Sequence, residues 1–436
     1  MMTHGLLWSS AFIALALLGP ASSSVGQQLT EYPLDPLSAP TQITAGPDGR
    51  IWYSDPRGSN IGALSATQPA QVFQVSLPGP MDSPLAFPSP FGICSGPDGN
   101  IWFTASKQFG LFPKVGRMKV DGTYSLFDFP ENLFAPGRII SGPDGNLWFS
   151  ASASKVVRFS PDGTSKAFSI PTFRASAGSL VVGADGAIWF TELNAAKIGR
   201  ITMTGAITEF ELPAGHAYAL AAGPDGAIWF TLTNEKRIGR LTMSGMFSSF
   251  PLPSDSAKQI VAGPDGNLWF GEQNGRIGRI TVEGQVTEFA TSTADPGIEG
   301  ITVGSDGAIW FAESNVSKIG RITTGGCAIS ATSLCLNNQR FEATVDWSVG
   351  IGNEGKGKAV AITADTGYFW FFSPNNIELA VKVVDGRAVN SHFWVFAGAL
   401  SDVAYSITLR DTLTGTAKTY TNAAGALASF ADTEAF

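Results

Sequence analysis

Apolar residues along this chain fall in short segments in which apolar and polar positions alternate, and turns rich in glycine separate the segments. Outside the N-terminus, no stretch repeats its apolar residues with the sustained period of a helix. The 50 glycines and 26 prolines recur at short intervals, as expected for many strands joined by tight turns. The pattern therefore predicts an all-β protein.

One phrase, Gly-x-Asp-Gly followed by x, an aliphatic residue, Trp and an aromatic residue, occurs seven times. The copies begin at Gly46, Gly96, Gly142, Gly183, Gly223, Gly263 and Gly304. They recur about every 40 to 50 residues, a period typical of β-propeller blades. Each copy fits four strands, named a to d from the centre outwards. The sequence therefore predicts a seven-bladed β-propeller over residues 27–324.

The last repeat lacks an outer strand, because nothing after Ile322 matches the d strands of the other repeats. The missing strand is present near the N-terminus, where Leu29–Leu34 reads LTEYPL and matches ITEFEL at Ile207–Leu212. We therefore expect Leu29–Leu34 to pair with Lys318–Ile322 and to close the ring, which leaves no central edge exposed.

A tryptophan stands at the same position in every repeat. A ligand-binding role is one interpretation, and packing between neighbouring sheets is the better one, because a ring at a fixed blade position buries about 150–250 Å². These residues are Trp52, Trp102, Trp148, Trp189, Trp229, Trp269 and Trp310.

The repeat stops at Cys327, and residues 327–436 form a second predicted domain. About seven short alternating segments separated by turns predict an antiparallel β-sandwich there. Cys327 and Cys335 bracket a short loop and would form a disulfide in an oxidising compartment. Cys94 is left over and is expected to be a buried free thiol.

Residues 1–26 have the features of a signal peptide. Leu6–Leu18 is apolar but short for a bilayer span, and the small residues Ala21 to Ser24 suit a signal peptidase. We expect export to the periplasm, the cell surface or the medium, with an uncleaved anchor as the alternative. No later run is long enough to span a membrane, so no span is expected in the mature protein. The net charge of −8 argues against nucleic acid as a partner, and a monomer is expected.

Candidate functional residues lie at the channel mouth, where strand a begins and strand b ends, and which is the default site of the fold. The side chains at the strand-a starts are Thr41, Phe91, Arg138, Ser179, Tyr218, Lys258 and Glu299, and those at the strand-b ends include Asp55, Glu192, Glu272 and Glu313. We expect Phe91, Arg138, Tyr218 and Lys258 to bind a small-molecule or extracellular ligand.

The acidic residues of the last and first repeats offer a second possibility. Asp55, Glu272, Glu299 and Glu313 could supply oxygen ligands to Mg²⁺ or Ca²⁺. The alternative is an ion pair within each b–c hairpin, because Glu192 precedes Lys197, Glu272 precedes Arg276 and Glu313 precedes Lys318.

Histidines are scarce: the whole chain contains 3. His216 lies in the loop before the fifth repeat and is the candidate general base at the mouth. His392 belongs to the second domain and is assigned a structural role.

The phrase WFTELNAAKIGRITMTGAITEFELP at 189–213 resembles the streptogramin B lyase family, which includes virginiamycin B lyase, and the resemblance extends from Leu29 to Thr323. It implies a seven-bladed propeller. It also implies a carbon–oxygen lyase that opens a cyclic depsipeptide by elimination at its ester bond, with Mg²⁺ and a histidine base on the channel face. The second domain is similar to a C-terminal module that recurs in secreted bacterial proteins.

The resemblance fails at the position of that base. Family members carry Pro-His-Gly-Ile-Thr at their strand-a starts, whereas this chain has, for example, Pro90-Phe91-Gly92-Ile93-Cys94. No strand-a start has a histidine, and His216 lies two residues before Tyr218. Three functions stay open: a binding propeller, a lyase with an altered, Mg²⁺-assisted site, and a structural surface protein. The residues favour the binding propeller, and catalysis is left undecided.

Overall fold

The computed structural model describes residues 27–436 except 66–70, 78–88, 107–112, 130–132, 135, 153, 214, 233–234, 326, 328–329, 338–339, 351, 413 and 415. The predicted signal peptide, residues 1–26, therefore lies outside the described residues. Nearly all regular structure is β, and the one helix of the described part is the four-residue α1 (Arg387–Asn390). The prediction of an all-β protein is confirmed.

Seven four-stranded antiparallel sheets occupy the described residues from 29 to 322, and we number them 1 to 7 in chain order. Sheet 1 contains β2 (Ile43–Ala45), β3 (Ile51–Asp55), β4 (Asn60–Leu64) and β5 (Val72–Ser76). Sheet 2 contains β6 (Ser89–Ser95), β7 (Ile101–Ser106), β8 (Lys114–Met118) and β9 (Tyr124–Asp128). Sheet 3 contains β10 (Ile139–Ser141), β11 (Leu147–Ala151), β12 (Lys155–Phe159) and β13 (Ser165–Ser169).

The remaining four sheets repeat the same order of strands. Sheet 4 contains β14 (Ala177–Val182), β15 (Ile188–Glu192), β16 (Lys197–Ile201) and β17 (Ile207–Glu211). Sheet 5 contains β18 (Ala217–Ala222), β19 (Ile228–Leu232), β20 (Arg237–Leu241) and β21 (Phe247–Pro251). Sheet 6 contains β22 (Ala257–Ala262), β23 (Leu268–Glu272), β24 (Arg276–Ile280) and β25 (Val286–Ala290). Sheet 7 contains β26 (Ile298–Val303), β27 (Ile309–Glu313), β28 (Lys318–Ile322) and β1 (Leu29–Pro33).

The first strands of the sheets contact one another in a closed cycle. β2 contacts β6, β6 contacts β10, and the series continues through β14, β18 and β22 to β26, which contacts β2 again. The outer strand of sheet 7 comes from the N-terminus, because β1 pairs antiparallel with β28 over Leu29↔Ile322 to Pro33↔Lys318. The predicted closing strand is confirmed. Sheets arranged radially in a ring are a β-propeller.

The repeated tryptophan explains why each sheet folds in the same way. The ring of Trp189 is fully buried, its Nε1 donates to Asp185 Oδ1 at 3.1 Å, and its face stacks on Phe210 of the outer strand. The same Trp–Asp bond recurs in all seven sheets, at 2.8–3.1 Å. Each turn is thereby fixed to its own sheet. The packing interpretation is confirmed, and no face of these rings is open to a ligand.

Residues beyond the ring form two five-stranded antiparallel sheets. Sheet 8 contains β29 (Ser333–Leu336), β30 (Phe341–Ser348), β31 (Glu354–Lys356), β36 (Ala404–Asp411) and β37 (Ala417–Asn422). Sheet 9 contains β32 (Lys358–Ala361), β33 (Thr366–Trp370), β34 (Leu379–Asp385), β35 (Phe393–Ala399) and β38 (Ser429–Asp432). The prediction missed β29, β31 and β38, which are among the shorter strands of this region.

The two sheets share one buried core that includes Phe341, Val381 and Ile407. Cys327 and Cys335 form a disulfide at the start of this region, with an S–S distance of 2.02 Å. Cys94 is a buried free cysteine, as predicted.

Candidate functional site

The edge at which the inner strands begin is also the edge at which the second strands end. Ala177 pairs with Glu192, Ala257 with Glu272, and Ile298 with Glu313. The first residues of the a strands and the last residues of the b strands therefore lie together at one end of the ring. We call this end the channel mouth.

A set of hydroxyl groups joins neighbouring sheets just inside the mouth. Thr104 Oγ1 accepts a hydrogen bond from Gly92 N of its own sheet and donates to Gly137 O of the next, at 3.0 and 2.8 Å. Thr231 Oγ1 does the same with Ala219 N and Lys258 O, at 3.1 Å each. The equivalent residues in sheets 1 and 4 are Ser54 and Thr191, whose hydroxyls donate to Phe91 O and Tyr218 O. Because backbone groups of two sheets share one hydroxyl, the inner strands are held in fixed relative positions.

Sequence reasoning missed these hydroxyls, although the signal is visible. Two residues after the repeated Trp, the chain has Ser or Thr in the first five repeats, and Gly271 and Ala312 in the last two. The junction from sheet 7 to sheet 1 uses another group, because Gln42 Nε2 donates to Glu299 O at 3.2 Å.

The hydrogen-bond pattern also corrects the predicted alignment of sheets 3 and 4. In sheet 3, Gly137 N donates a hydrogen bond to Ser150 O. Thr41 N donates the same hydrogen bond to Ser54 O in sheet 1, so Gly137 and Thr41 occupy equivalent positions. The first strands of sheets 4 and 5 have a β-bulge at the same place, after Ala177 and after Ala217. Gly178 in sheet 4 therefore occupies the position of Tyr218 in sheet 5. The mouth positions of these two sheets are therefore glycines. Arg138 and Ser179 lie one residue further along the strand.

The side chain of Arg138 extends towards Tyr218. Its guanidinium carbon is 6.0 Å from the ring centroid of Tyr218, two sheets further round the ring. Burial lowers the pKa of Arg138, which the interactions with Tyr218 and the negative charge of Glu299 oppose. Tyr218 is partly exposed, and the side chain of Phe91 is 42% exposed. Arg138 and Tyr218 are therefore brought together, and Phe91 presents an apolar surface at the same end of the ring.

Lys258 and Glu299 neutralise each other. Lys258 Nζ lies 2.6 Å from Glu299 Oε1, and both side chains are 30% exposed. Glu299 is therefore engaged by a cation at the mouth. In contrast, Arg138 has no carboxylate within ion-pair distance among the described residues.

The four acids proposed as metal ligands do not form one group. Asp55, Glu272 and Glu313 are fully buried at the b-strand ends, whereas Glu299 pairs with Lys258 at the surface of the mouth. Asp55 Oδ1 accepts from Ala39 N and Gly58 N at 3.0 Å, which fixes two turns. Within the described residues, no three His, Cys, Asp or Glu side chains are grouped to hold a metal ion. The predicted Mg²⁺ site from these four residues is not assembled.

The alternative of hairpin ion pairs is also wrong in detail. Lys197 and Lys318 pair with the d-strand residues Glu209 and Glu31, at 3.3 and 2.7 Å, and Arg276 pairs with Glu288 at 3.8 Å. The cations therefore select the outer-strand carboxylates, not the b-strand glutamates that precede them in sequence.

The b-strand glutamates are consequently unusual. Glu192, Glu272 and Glu313 are fully buried, and neither carboxyl oxygen of any of them has a hydrogen-bond partner among the described residues. Burial, together with the charge of the neighbouring Glu209, raises the pKa of Glu192 to about 7. Burial and the nearby d-strand glutamate likewise raise the pKa of Glu272 to about 8 and that of Glu313 to about 7.

The pKa values of two outer-strand neighbours, Glu31 and Glu209, are lowered instead. Burial alone would raise the pKa of Glu31, but hydrogen bonds from Lys318, Ser292 and Thr293 lower it to about 2. The Glu192–Glu209 and Glu313–Glu31 pairs therefore each combine an ionised outer carboxylate with a neutral inner carboxylic acid at mildly acidic pH.

His216 precedes β18 and is exposed. No hydrogen bond from another described residue orients its imidazole. It therefore lacks the second group that normally fixes the tautomer of a general base. His392 lies partly buried in the second domain, before β35.

Comparison with protein families gives one family for most of the chain. Residues 18–217 and 151–346 match the model of the virginiamycin B lyase family. A streptogramin B lyase structure is 30% identical, with a TM-score of 0.61, and the match covers 68% of this chain and 97% of that chain. A catalytically inactive histidine-to-alanine variant of virginiamycin B lyase from Staphylococcus aureus, solved with quinupristin, is 29% identical at a TM-score of 0.61. That match covers 68% of this chain and 99% of the other.

A more distant match concerns the fold alone. The WD40 β-propeller domain of Doa1 is 13% identical with a TM-score of 0.56, and the match covers 69% of this chain and 98% of that domain. A search of curated proteins gives no match. No helix in the described ranges is long and apolar enough to cross a membrane.

Proposed function

Because the chain belongs to the virginiamycin B lyase family, we propose that it is an exported seven-bladed propeller that binds a ligand or partner at its channel mouth. Sheets 1 to 7 are the blades, and sheets 8 and 9 form the predicted β-sandwich. The ring occupies residues 27–324 and the second domain residues 327–436.

One observation carries the proposal. At the mouth positions where the family resemblance calls for a histidine, this chain has Phe91, Tyr218, Lys258 and Glu299, and Arg138 lies one residue after the mouth position of sheet 3. Aromatic, guanidinium and charged side chains on a rigid ring are recognition groups. The hydroxyls that join the sheets supply the rigidity, because they fix the strands that carry these side chains.

A lyase is the second candidate, and family membership is the observation that favours it. The inactive histidine-to-alanine variant indicates that a histidine matters in the Staphylococcus aureus enzyme. In this chain the candidate base is His216, which is exposed and unoriented. A positioned general base is worth about 10²- to 10⁴-fold in rate, so its loss leaves trace activity at most. Binding without ring opening is therefore the better-supported function.

Export is proposed on two grounds. Residues 1–26 have the composition of a signal peptide. The disulfide between Cys327 and Cys335 suits an oxidising compartment. We propose a monomer in the periplasm, at the cell surface or in the medium.

A ligand screen tests the binding function. Purified protein would be titrated calorimetrically with quinupristin, other cyclic depsipeptides, macrolactones and glycans. A Phe91→Ala/Tyr218→Ala variant should lose binding of any ligand that the wild type takes up. The control is Phe372→Ala, which removes a phenyl ring of similar exposure from the second domain. Equal affinity in the wild type and the mouth variant would show that the mouth is not the binding site.

A further inference from the structure

Arg138 lies at the mouth and has no carboxylate within ion-pair distance among the described residues. Arg138 is partly exposed, burial lowers its pKa, and its described neighbour is the side chain of Tyr218, whose hydroxyl opposes that shift and whose ring centroid is 6.0 Å from the guanidinium carbon. Keeping a charge away from water is costly unless an opposite charge or hydrogen bonds compensate it. A guanidinium in this position therefore favours a ligand that brings a negative charge with it.

The other charges of the mouth limit how negative that ligand can be. Lys258 is neutralised by Glu299 at 2.6 Å, so it adds no free positive charge. The carboxylate of Glu299 acts on Arg138 through space and would repel a second negative charge. One uncompensated cation beside one occupied ion pair matches a monoanion such as a carboxylate better than a phosphate dianion.

A second unsatisfied donor lies on the same ring of positions. Gln259 in sheet 6 occupies the place that Arg138 holds in sheet 3, one residue after the mouth position. Its side chain is 3% exposed, and its Nε2 has no acceptor among the described residues. Gln42, at the same place in sheet 1, does have an acceptor, Glu299 O at 3.2 Å. The ring of positions that carries Arg138 thus also contains an amide N–H without an acceptor among the described residues.

An exposed aromatic side chain lies on the strand next to the backbone of Arg138. A Cβ placed on Gly92 would be 3.0 Å from Arg138 Cα, so the strand that carries Phe91 runs directly against the strand that carries Arg138. Phe91 is 42% exposed, and its ring is available to cover an apolar group. A ligand bound to Arg138 would therefore meet an aromatic side chain on the neighbouring sheet.

We infer that the mouth takes a small amphipathic monocarboxylate, with its carboxylate on Arg138 and its aromatic or aliphatic body against Phe91. The inference rests on the proposed binding function and names the chemical class of its ligand. The planar guanidinium can bind both carboxylate oxygens, which distinguishes this class from neutral amides and esters of the same shape.

The test compares three probes by isothermal titration calorimetry on the full chain: 3-phenylpropanoate, 3-phenylpropanamide and inorganic phosphate. The carboxylate should bind about 10- to 100-fold more tightly than the amide, the range expected for a charge-assisted hydrogen bond. Arg138→Gln should remove this preference, so that the carboxylate and the amide bind about equally. Arg138→Lys keeps the positive charge but cannot bind both carboxylate oxygens through a planar guanidinium. This variant should therefore keep part of the preference for the carboxylate over the amide. Arg410→Gln in the second domain removes the same charge and should change nothing.

Several results would overturn the inference. Equal binding of the carboxylate and the amide, or a carboxylate preference that survives in Arg138→Gln, would exclude Arg138 as the anion site. Tighter binding of phosphate than of the carboxylate would assign a different anion. If the carboxylate does not bind, but a ligand from the screen binds and is lost in Phe91→Ala/Tyr218→Ala, the inference fails and the binding function stands. If no ligand binds in either experiment, both fail. Circular dichroism of each variant identifies any loss of binding caused by misfolding.

Discussion

The buried glutamates of sheets 4, 6 and 7 predict that the propeller loses stability as pH rises from 5 to 8. The pKa of each is raised from 4.5 to about 7 for Glu192, about 8 for Glu272 and about 7 for Glu313. Between the unfolded and folded values, the folded chain holds a proton that the unfolded chain has released, so stability falls with rising pH. The stabilisation from these glutamates is complete below pH 4.5, and it is lost once the pH has risen through their pKa values in the folded protein.

The size of the effect follows from the shifts. One pKa unit corresponds to about 1.4 kcal/mol, so the raised pKa is worth on the order of 3 to 4 kcal/mol for Glu192 and Glu313 and about 5 kcal/mol for Glu272. The lowered pKa of Glu31, about 2, acts in the opposite direction but only below pH 4.5, where that carboxylate becomes protonated. It therefore does not mask the loss between pH 5 and 8.

We would replace the three glutamates with glutamine, as Glu192→Gln, Glu272→Gln and Glu313→Gln, in single variants and in one triple variant. The amide has nearly the shape of the protonated acid and cannot ionise, so each variant should be more stable than the wild type at pH 8 and close to it at pH 5. The triple variant should lose most of the dependence on pH.

The assay is urea unfolding from pH 5 to 8.5 followed by tryptophan fluorescence, since the seven buried Trp rings report on sheets 1 to 7. Glu211→Gln is the matched control, because Glu211 lies in the same sheet as Glu192 with its side chain 84% exposed. A wild-type stability that is flat or rises over this range would refute the reasoning. So would a triple variant with the slope of the wild type.

Three further predictions follow from the ring. Deleting Leu29–Leu34 removes β1 and exposes the edge of β28, so the melting temperature and solubility should fall, and a truncated protein that melts like the parent would contradict closure by β1. Residues 27–324 should fold alone as a soluble, cooperatively melting fragment, and insolubility that is cured only by residues 327–436 in cis would contradict the predicted boundary. Thr104→Val should destabilise the propeller by about 1–3 kcal/mol in urea unfolding, because Gly92 N and Gly137 O both lose a buried partner; Thr123→Val, at an exposed turn, is the control.

Closure of the ring could be predicted from sequence, because Leu29–Leu34 carries the same residues as the other outer strands and only one repeat lacked such a strand. The packing of the tryptophans could be predicted because a repeated residue must occupy a repeated environment. Both inferences depend on local patterns that survive in every copy of the repeat.

The mouth was harder to predict, because it is where the copies differ. Gly137 and Gly178 replaced the side chains that mark the mouth position, so Arg138 and Ser179 were aligned one residue too far along. The buried glutamates were visible as residues, but their neighbours were not. Lys197 follows Glu192 in sequence, yet cross-strand geometry places it on Glu209, and only the paired strands show this.

Whether the mouth binds a ligand without cleaving it is tested most directly with quinupristin, the compound present in the structure of the inactive family variant. Quinupristin would be incubated with the wild type and Mg²⁺, and its cyclic and linear forms separated by liquid chromatography and identified by fragmentation in mass spectrometry. We expect quinupristin to stay cyclic, as in a control without protein. Linear product formed by the wild type and absent with His216→Ala would contradict it, because an exposed histidine before β18 would then serve as the base.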